Sequence, residues 1–155
     1  MDDPYDLDRF AAAQDAGGSY RQAVAELRRG RKASHWMWFV FPQVAGLGQS
    51  SVSRRYAIRS LAEARAYLAH PVLGPRLIES AEIVAGLSGP TAQQIFGGLD
   101  AMKLRSCMTL FGAAAPGQPV FGAVLERYFG GVADPATQAR IEAIGPGHGE
   151  SNGAY

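Results

Sequence analysis

The stretch Leu99-Asp-Ala-Met-Lys-Leu-Arg-Ser-Cys-Met-Thr-Leu-Phe-Gly-Ala-Ala-Ala115 predicts the central element of the fold. Its large apolar side chains fall on all sides of a helix axis: Leu99, Met102, Leu104, Met108, Leu110 and Phe111. A helix that is apolar all round is normally enclosed by the other elements of a domain. We therefore expect residues 99–113 to form a largely buried helix in the middle of the molecule.

Capping and proline signals predict further helices on both sides of this stretch. Asp3-Pro4 has the pattern of an N-cap followed by proline in the first turn. Ser19, Ser60 and Thr91 each stand three residues before Gln or Glu, the pattern of a capping box. With apolar residues at helical spacing, these signals predict helices at 4–14, 20–29, 61–69, 72–87, 99–113, 119–129 and 135–144, and a short helix from Thr91 to Gly97.

The sequence thus predicts a mainly α protein, a single compact helical domain of about seven or eight helices over residues 1–144. The one candidate for a minor β element is the apolar run 37–41, which suits either a buried strand or a helical turn and is ended by Pro42. Residues 145–155 contain several glycines and few apolar side chains. We expect them to form a disordered C-terminal tail.

Composition excludes several classes of function. With 155 residues, 47% of them hydrophobic and 19% charged, the chain has the make-up of a globular domain. A formal net charge of +1 argues against stable general binding of nucleic acid, which depends on many cations meeting phosphates. Cys107 is the single cysteine and the histidines lack metal-ligand spacing, so we expect no disulfide, no metal ion and no other cofactor.

Signals for a membrane or for export are not evident in the sequence. No apolar run approaches the roughly 20 residues that span a bilayer. The first residues, Met1 to Asp6, are acidic rather than a basic leader. We expect a cytoplasmic protein without a membrane partner.

The segment Ser34-His-Trp-Met-Trp-Phe-Val-Phe-Pro-Gln43 has the most unusual composition, because it holds both tryptophans of the chain. A basic run from Arg28 to Lys32 precedes it, and the glycine-rich segment Ala45 to Ser50 follows it. Aromatic rings next to cations are typical of a pocket for a flat anionic ligand such as a nucleotide, since the rings stack on the base and the cations meet the phosphate. The alternative is a buried aromatic segment that follows a charged helix end.

The central helix carries polar groups at three-residue spacing, namely Asp100, Lys103, Ser106 and Thr109. A buried charge needs a partner or a cavity, because an unpaired one costs several kcal/mol. We interpret Lys103 as a ligand for phosphate or substrate and Asp100 as a base, with His35 as the alternative base. The other interpretation is that Asp100 and Lys103 simply face water.

These observations define a candidate site and three hypotheses about its role. The first is a pocket for a nucleotide-derived small molecule, which the protein binds or hydrolyses. The second is a protein-interaction module that uses the aromatic segment as an anchor, and the third is an aromatic segment that belongs to the core alone. For the first, the candidate catalytic residues are Asp100, His35 and Lys103, and the candidate binding residues are Lys32, Trp36, Trp38, Gln43, Gly48, Tyr56, Ser106 and Thr109.

Several motifs resemble the bacterial family catalogued as domain of unknown function 1810. They are the segments 3–10, 34–43, 46–48, 56–58, 70–77 and 103–111, so the resemblance covers about residues 3 to 130. It implies a mainly helical domain without a settled activity. Some members carry the label calpastatin, a disordered protease inhibitor, which this well-patterned chain does not resemble. The chain has Cys107 where the resemblance implies a serine.

A weaker resemblance concerns the NADAR family, which hydrolyses ADP-ribosyl N-glycosidic links. Both combine an early aromatic segment with a later helix that contains lysine and an apolar stretch like Met108-Thr-Leu-Phe111. This resemblance implies a ligand derived from a nucleotide, such as an ADP-ribosyl group; in the first hypothesis the protein would bind that ligand or act on it as a hydrolase.

Overall fold

Helices make up most of the described part of the chain, residues 2–145 of a computed structural model. The helices are α1 Asp8–Asp15, α2 Ser19–Arg29, α3 Met37–Val40, α4 Ser51–Arg55, α5 Leu61–Ala69, α6 Leu73–Gly86, α7 Ala92–Phe96, α8 Gly98–Ala114, α9 Pro119–Phe129 and α10 Pro135–Ile144, with a 3₁₀ turn at Ala16–Gly18. The mainly α prediction is confirmed. The prediction omitted the short α4. Residues Met37–Val40 form α3, which is the helical turn given as one of the two alternatives for 37–41, so the strand alternative is wrong.

Helix α8 forms the centre of the domain, since α5, α7, α9 and α10 all pack against it. Residues 106–111 of this helix are buried on every side, and Leu104, Met108 and Phe111 are fully enclosed. Its first turns differ from the prediction, because Leu99 is 77% exposed and Met102 is 66% exposed. The helix is therefore buried in its middle and borders solvent near its start and again at Ala113 near its end.

The first residues of the chain do not form the helix start that their capping pattern predicts. Asp3 accepts hydrogen bonds from the backbone N–H groups of Leu7 (2.7 Å) and Asp8 (2.9 Å), so it caps a helix that begins one turn later than predicted. Asp6 has a φ of 51°, which an α-helix does not contain. The predicted capping box at Ser19 is also wrong, because Gly18 occupies the cap position of α2 and the Ser19 hydroxyl donates to the carbonyl of Ala16.

The capping box predicted at Thr91 is confirmed in full, and the one predicted at Ser60 is confirmed in part. Thr91 and Gln94 form the reciprocal box at the start of α7. The Ser60 hydroxyl accepts from the backbone N–H of Glu63 at 3.0 Å and caps α5. The Glu63 carboxylate does not complete that box, because it accepts from the backbone N–H of Arg59 instead and forms an ion pair with Arg9.

A single parallel β-bridge in residues 2–145, between Val44 and Ile58, joins the ends of a long loop excursion. Its hydrogen bonds run from the Ala45 N–H to the Ile58 carbonyl (2.8 Å) and from the Ile58 N–H to the Gln43 carbonyl (2.9 Å). The chain between them contains the glycine-rich segment and α4. This bridge therefore fixes where the excursion leaves the core and where it returns.

The buried guanidinium of Arg9 fixes the segment through which that excursion returns to the core. It donates to the carbonyls of Arg55 (2.7 Å) and Ala57 (2.8 Å) and lies 3.0 Å from a carboxylate oxygen of Glu63. Both side chains of the ion pair are almost fully buried. Because these hydrogen bonds hold the backbone on either side of Tyr56, they fix the position of its ring.

No helix within residues 2–145 is long and apolar enough to cross a membrane. The predicted tail, apart from Gly145, lies outside the described residues.

Candidate functional site

A cavity of about 360 Å³ opens beside Trp38, and we call it the Trp38 cavity. It lies between α3, the loop Gln43–Gln49, the end of α4 and the side chain of Lys103 on α8. Its aromatic walls are Trp38, Phe41 and Tyr56. Tyr56 packs against Phe39 and Phe10, with ring centroids 5.6 and 5.7 Å away, so its orientation is set by the core.

Three cations line the Trp38 cavity, namely Lys103, Arg54 and Arg59. The Lys103 ammonium lies 4.9 Å from the centroid of the Trp38 ring, a cation–π geometry. Arg54 and Arg59 are exposed, and neither forms an ion pair with an acidic side chain of residues 2–145. The lining contains no carboxylate and no imidazole among the described residues. The cavity is therefore suited to a negatively charged ligand.

Asp100 lies outside the cavity lining and holds two lysines. One of its oxygens is 2.9 Å from the Lys32 ammonium, and the other is 3.5 Å from that of Lys103. Lys32 also donates to the carbonyl of Ser34 and lies 5.0 Å from the centroid of the Trp36 ring. Asp100 is thus placed to orient Lys103 towards the Trp38 cavity.

The buried carboxylate of Glu26 fixes the turn that leads into α3. It accepts hydrogen bonds from the backbone N–H groups of Ala33 (2.8 Å) and Ser34 (2.9 Å), from the Ser34 hydroxyl (2.6 Å) and from the Trp36 indole (2.8 Å). The Gln22 amide adds a further donor at 2.8 Å. Burial by itself raises the pKa of Glu26, but these hydrogen bonds outweigh it and lower the pKa from 4.5 to about 2.

The glycine-rich segment forms a tightly packed wall of the Trp38 cavity. A Cβ atom at Gly48 would lie 2.5 Å from the Cβ and hydroxyl of Ser53. Gly46 has a φ of 99°, and a Cβ there would overlap the guanidinium of Arg140. Arg140 in turn donates to the carbonyl of Ala45 at 3.0 Å. Glycine is therefore needed at both positions so that α4 and α10 can pack against the loop.

The structure brings five of the predicted site residues to the Trp38 cavity, and they are Trp38, Gln43, Gly48, Tyr56 and Lys103. Lys32 and Asp100 lie behind Lys103, as described above. His35 is exposed and does not line this cavity. Trp36 is 1% exposed and belongs to the core, so its ring cannot stack on a ligand there.

Ser106 and Thr109 use their hydroxyls to attach α10. The Ser106 hydroxyl is 2.7 Å from that of Thr137, and the Thr109 hydroxyl accepts from the backbone N–H of Asp134 at 2.8 Å and donates to the carbonyl of Arg105. Neither residue lines the Trp38 cavity. Their three-residue spacing therefore reflects the packing of α8 against α10.

Sequence reasoning missed four residues that shape the site: Glu26, Arg54, Arg59 and Arg140. Glu26 stands between cationic and apolar neighbours of an amphipathic helix and gives no signal of burial. Arg54 and Arg59 flank Tyr56, and that spacing could have indicated them. Arg140 contacts a loop 95 positions away, a distance that no local pattern reveals.

Within residues 2–145, no three or more His, Cys, Asp or Glu side chains cluster as they would around a metal ion. The Cys107 thiol is buried, and this burial raises its pKa well above the ordinary value. It therefore stays protonated and unreactive at neutral pH.

The fold and the cavity define a small all-α domain with one cationic, aromatic-walled site, and the comparisons with known proteins agree with this class. Residues 4–141 match the family model described as "Protein of unknown function (DUF1810)", and the chain belongs to this family. It is also similar to a solved crystal structure, the conserved hypothetical protein Rv1873 from Mycobacterium tuberculosis. The two are 50% identical, the match covers 90% of this chain and 99% of that chain, and the TM-score is 0.87. No curated protein matches the chain.

Proposed function

We propose that the protein binds a nucleotide-type small molecule, an anion that carries a flat aromatic ring, in the Trp38 cavity. The observation that carries this proposal is the contact between Lys103 and Trp38, with the ammonium 4.9 Å from the ring centroid in a cavity whose lining has cations and no carboxylate. A ring bound there stacks on Trp38 or Tyr56, and a phosphate meets Lys103, Arg54 or Arg59.

The size of the cavity favours one nucleotide unit as the ligand. Its 360 Å³ lie near the lower end of the roughly 300–1,000 Å³ that small-molecule sites occupy. The half-buried amide of Gln43 supports recognition of a base, because its side chain has no hydrogen-bond partner within residues 2–145 and borders the cavity. An amide can donate to and accept from the edge of a base.

The geometry supports binding more than hydrolysis. Cleavage of an N-glycosidic link, such as that of an ADP-ribosyl group, needs a general base within reach of a water molecule. Asp100 forms ion pairs with two lysines and lies outside the lining of the Trp38 cavity, and His35 lies outside that lining as well. Our proposal is therefore a binding function.

A protein-interaction module has less support. An anchor would present exposed aromatic rings, whereas Trp36 and Phe41 are each 1% exposed. The rings of this segment that remain accessible, Trp38 and Phe39, are themselves half-buried.

The experiment is a thermal-shift and calorimetric titration with common ribonucleoside monophosphates, with ADP-ribose and with inorganic phosphate. We expect at least one nucleotide to raise the melting temperature, since a ligand that binds only the folded state stabilises it. Phosphate alone should bind more weakly because it cannot stack.

The variants Lys103→Ala and Trp38→Ala should abolish that shift while the protein remains folded. Arg29→Ala is the matched control, because Arg29 is an exposed cation with no ion pair in the described residues, on a helix that does not line the cavity. The proposal is overturned if no nucleotide binds, or if Lys103→Ala and Arg29→Ala bind it equally well.

A further inference from the structure

A second cavity adjoins the Trp38 cavity on the other side of the glycine-rich loop. Its volume is about 480 Å³, and we call it the Met102 cavity. The two cavities share the lining residues Gln43, Gly48, Gln49, Ser53 and Lys103. They therefore meet along one wall, and three of the five residues in this wall have long, flexible side chains.

The Met102 cavity differs from its neighbour in chemistry. Its own lining includes Leu47, Leu99, Met102 and Ala136, and no aromatic ring borders it in the described part of the chain. Leu99 and Met102 are the most exposed large hydrophobic side chains of residues 2–145, at 77% and 66%. An exposed apolar surface of this kind next to a polar pocket marks a place where an apolar group binds.

Two polar residues that line the Met102 cavity but not the Trp38 cavity, Asp134 and Ser106, already have hydrogen-bond partners. The Asp134 carboxylate accepts from the backbone N–H of Thr137 at 3.0 Å and from its hydroxyl at 2.5 Å. The Ser106 hydroxyl is paired with that of Thr137. Lys103, in the shared wall, is the only cation that borders this cavity among the described residues. The cavity thus offers apolar contact, the hydrogen-bonded carboxylate of Asp134 at its edge, and the single positive charge of Lys103 at its junction with the Trp38 cavity.

We propose that one ligand occupies both cavities, and that it is a nucleotide whose phosphate carries an alkyl or acyl chain. The base of the ligand lies in the Trp38 cavity, and its phosphate lies beside Lys103 in the shared wall. Its alkyl or acyl chain covers Leu99 and Met102. This proposal rests on the proposed function and names the class of nucleotide. A dinucleotide fits less well, because its second base would find no ring to stack on in the Met102 cavity.

The test compares two esters of the same nucleotide. The common ribonucleoside monophosphates are prepared as methyl esters and as n-octyl esters, which carry the same single charge on the phosphate. Their dissociation constants are measured by calorimetry below the micelle-forming concentration. We expect the octyl ester to bind about tenfold more tightly or better, since each buried methylene adds to affinity.

The double variant Leu99→Ser with Met102→Ser tests whether the alkyl chain of the ligand lies in the Met102 cavity. Both side chains are largely exposed, so the variant should fold, which its melting temperature checks. It should lose the advantage of the octyl ester and keep the affinity for the methyl ester. Val72→Ser with Val132→Ser is the matched control, because these valines are exposed and line neither cavity. It should change neither affinity.

The remaining outcomes overturn the inference in distinguishable ways. If the methyl and octyl esters bind equally, nucleotide binding stands and the apolar arm is wrong. If neither binds, the proposed function fails as well. If n-octyl phosphate, which has no base, binds as tightly as the octyl ester, the site recognises a lipid rather than a nucleotide. If sedimentation shows a dimer that the double variant disrupts, the Met102 surface is an interface between copies of this chain.

Discussion

The two tryptophans stand two positions apart and occupy two different environments. Trp36 is 1% exposed, and its indole donates to the buried carboxylate of Glu26, which is itself saturated with donors. Trp38 is half-buried, contacts the Lys103 ammonium 4.9 Å from its ring centroid, and lines a cavity whose arginines have no acidic partner in residues 2–145. A saturated polar network fixes a fold, whereas arginines without an acidic partner in a cavity wall remain available to a ligand. The comparison therefore separates a core residue from a candidate ligand-binding residue within one short segment.

The largest effect should come from removing the buried ring. Trp36→Ala creates a core cavity and leaves Glu26 without one of its donors, so we expect a loss of about 3–5 kcal/mol in the free energy of unfolding. Trp38→Ala should cost about 1 kcal/mol or less, because that ring is partly solvated. Denaturant melts of both variants measure the difference. Equal losses would mean that Trp38 is also a core residue.

Replacing the carboxylate of Glu26 should lower the free energy of unfolding somewhat less than removing the Trp36 ring does. Glu26→Gln keeps the shape but turns an NH₂ group towards donors, and we expect a loss of about 2–3 kcal/mol at neutral pH. Glu82→Gln, an exposed change on α6, is the control and should stay within about 0.5 kcal/mol.

The same network predicts a pH dependence. The pKa of Glu26 is lowered from 4.5 to about 2, so its stabilising contribution is complete above pH 4.5 and is lost as the pH falls towards 2. The difference in unfolding free energy between the wild type and Glu26→Gln should therefore shrink over that range. A difference that stays constant down to pH 2 would contradict the assigned pKa.

Much of this architecture follows from the sequence, because helices are specified locally. The central helix, the caps at Ser60 and Thr91 and the family resemblance could all be predicted from neighbouring residues. Trp36 and Trp38 could not be told apart, since which of them meets Glu26 depends on a turn fixed by contacts with another helix. The contact of Asp100 with Lys103 follows from their three-residue spacing on one helix, whereas the ion pair of Asp100 with Lys32 and the packing of Arg140 on the loop had no local signal.

A smaller loss of stability should come from a substitution at Gly48 in the wall of the Trp38 cavity. Gly48→Ala places a methyl group 2.5 Å from Ser53, and such overpacking costs about 1–2 kcal/mol. Ser53→Gly removes the obstructing side chain, so the double variant should recover part of the loss, which a double-mutant cycle measures. Gly86→Ala is the control, because a Cβ there meets no atom within 4 Å. If the cycle is additive, the contact with Ser53 does not explain why glycine is needed.

The most direct test of the central claim uses the chain's two indole N–H signals, since it contains only two tryptophans. They are recorded by ¹H–¹⁵N correlation NMR, with the signal of Trp38 assigned from Trp38→Phe, during titration with the nucleotide that gives the largest thermal shift. We predict that the Trp38 signal moves and saturates with the calorimetric dissociation constant while the Trp36 signal stays in place. A Trp38 signal that does not move, or a Trp36 signal that moves as far, would contradict the account.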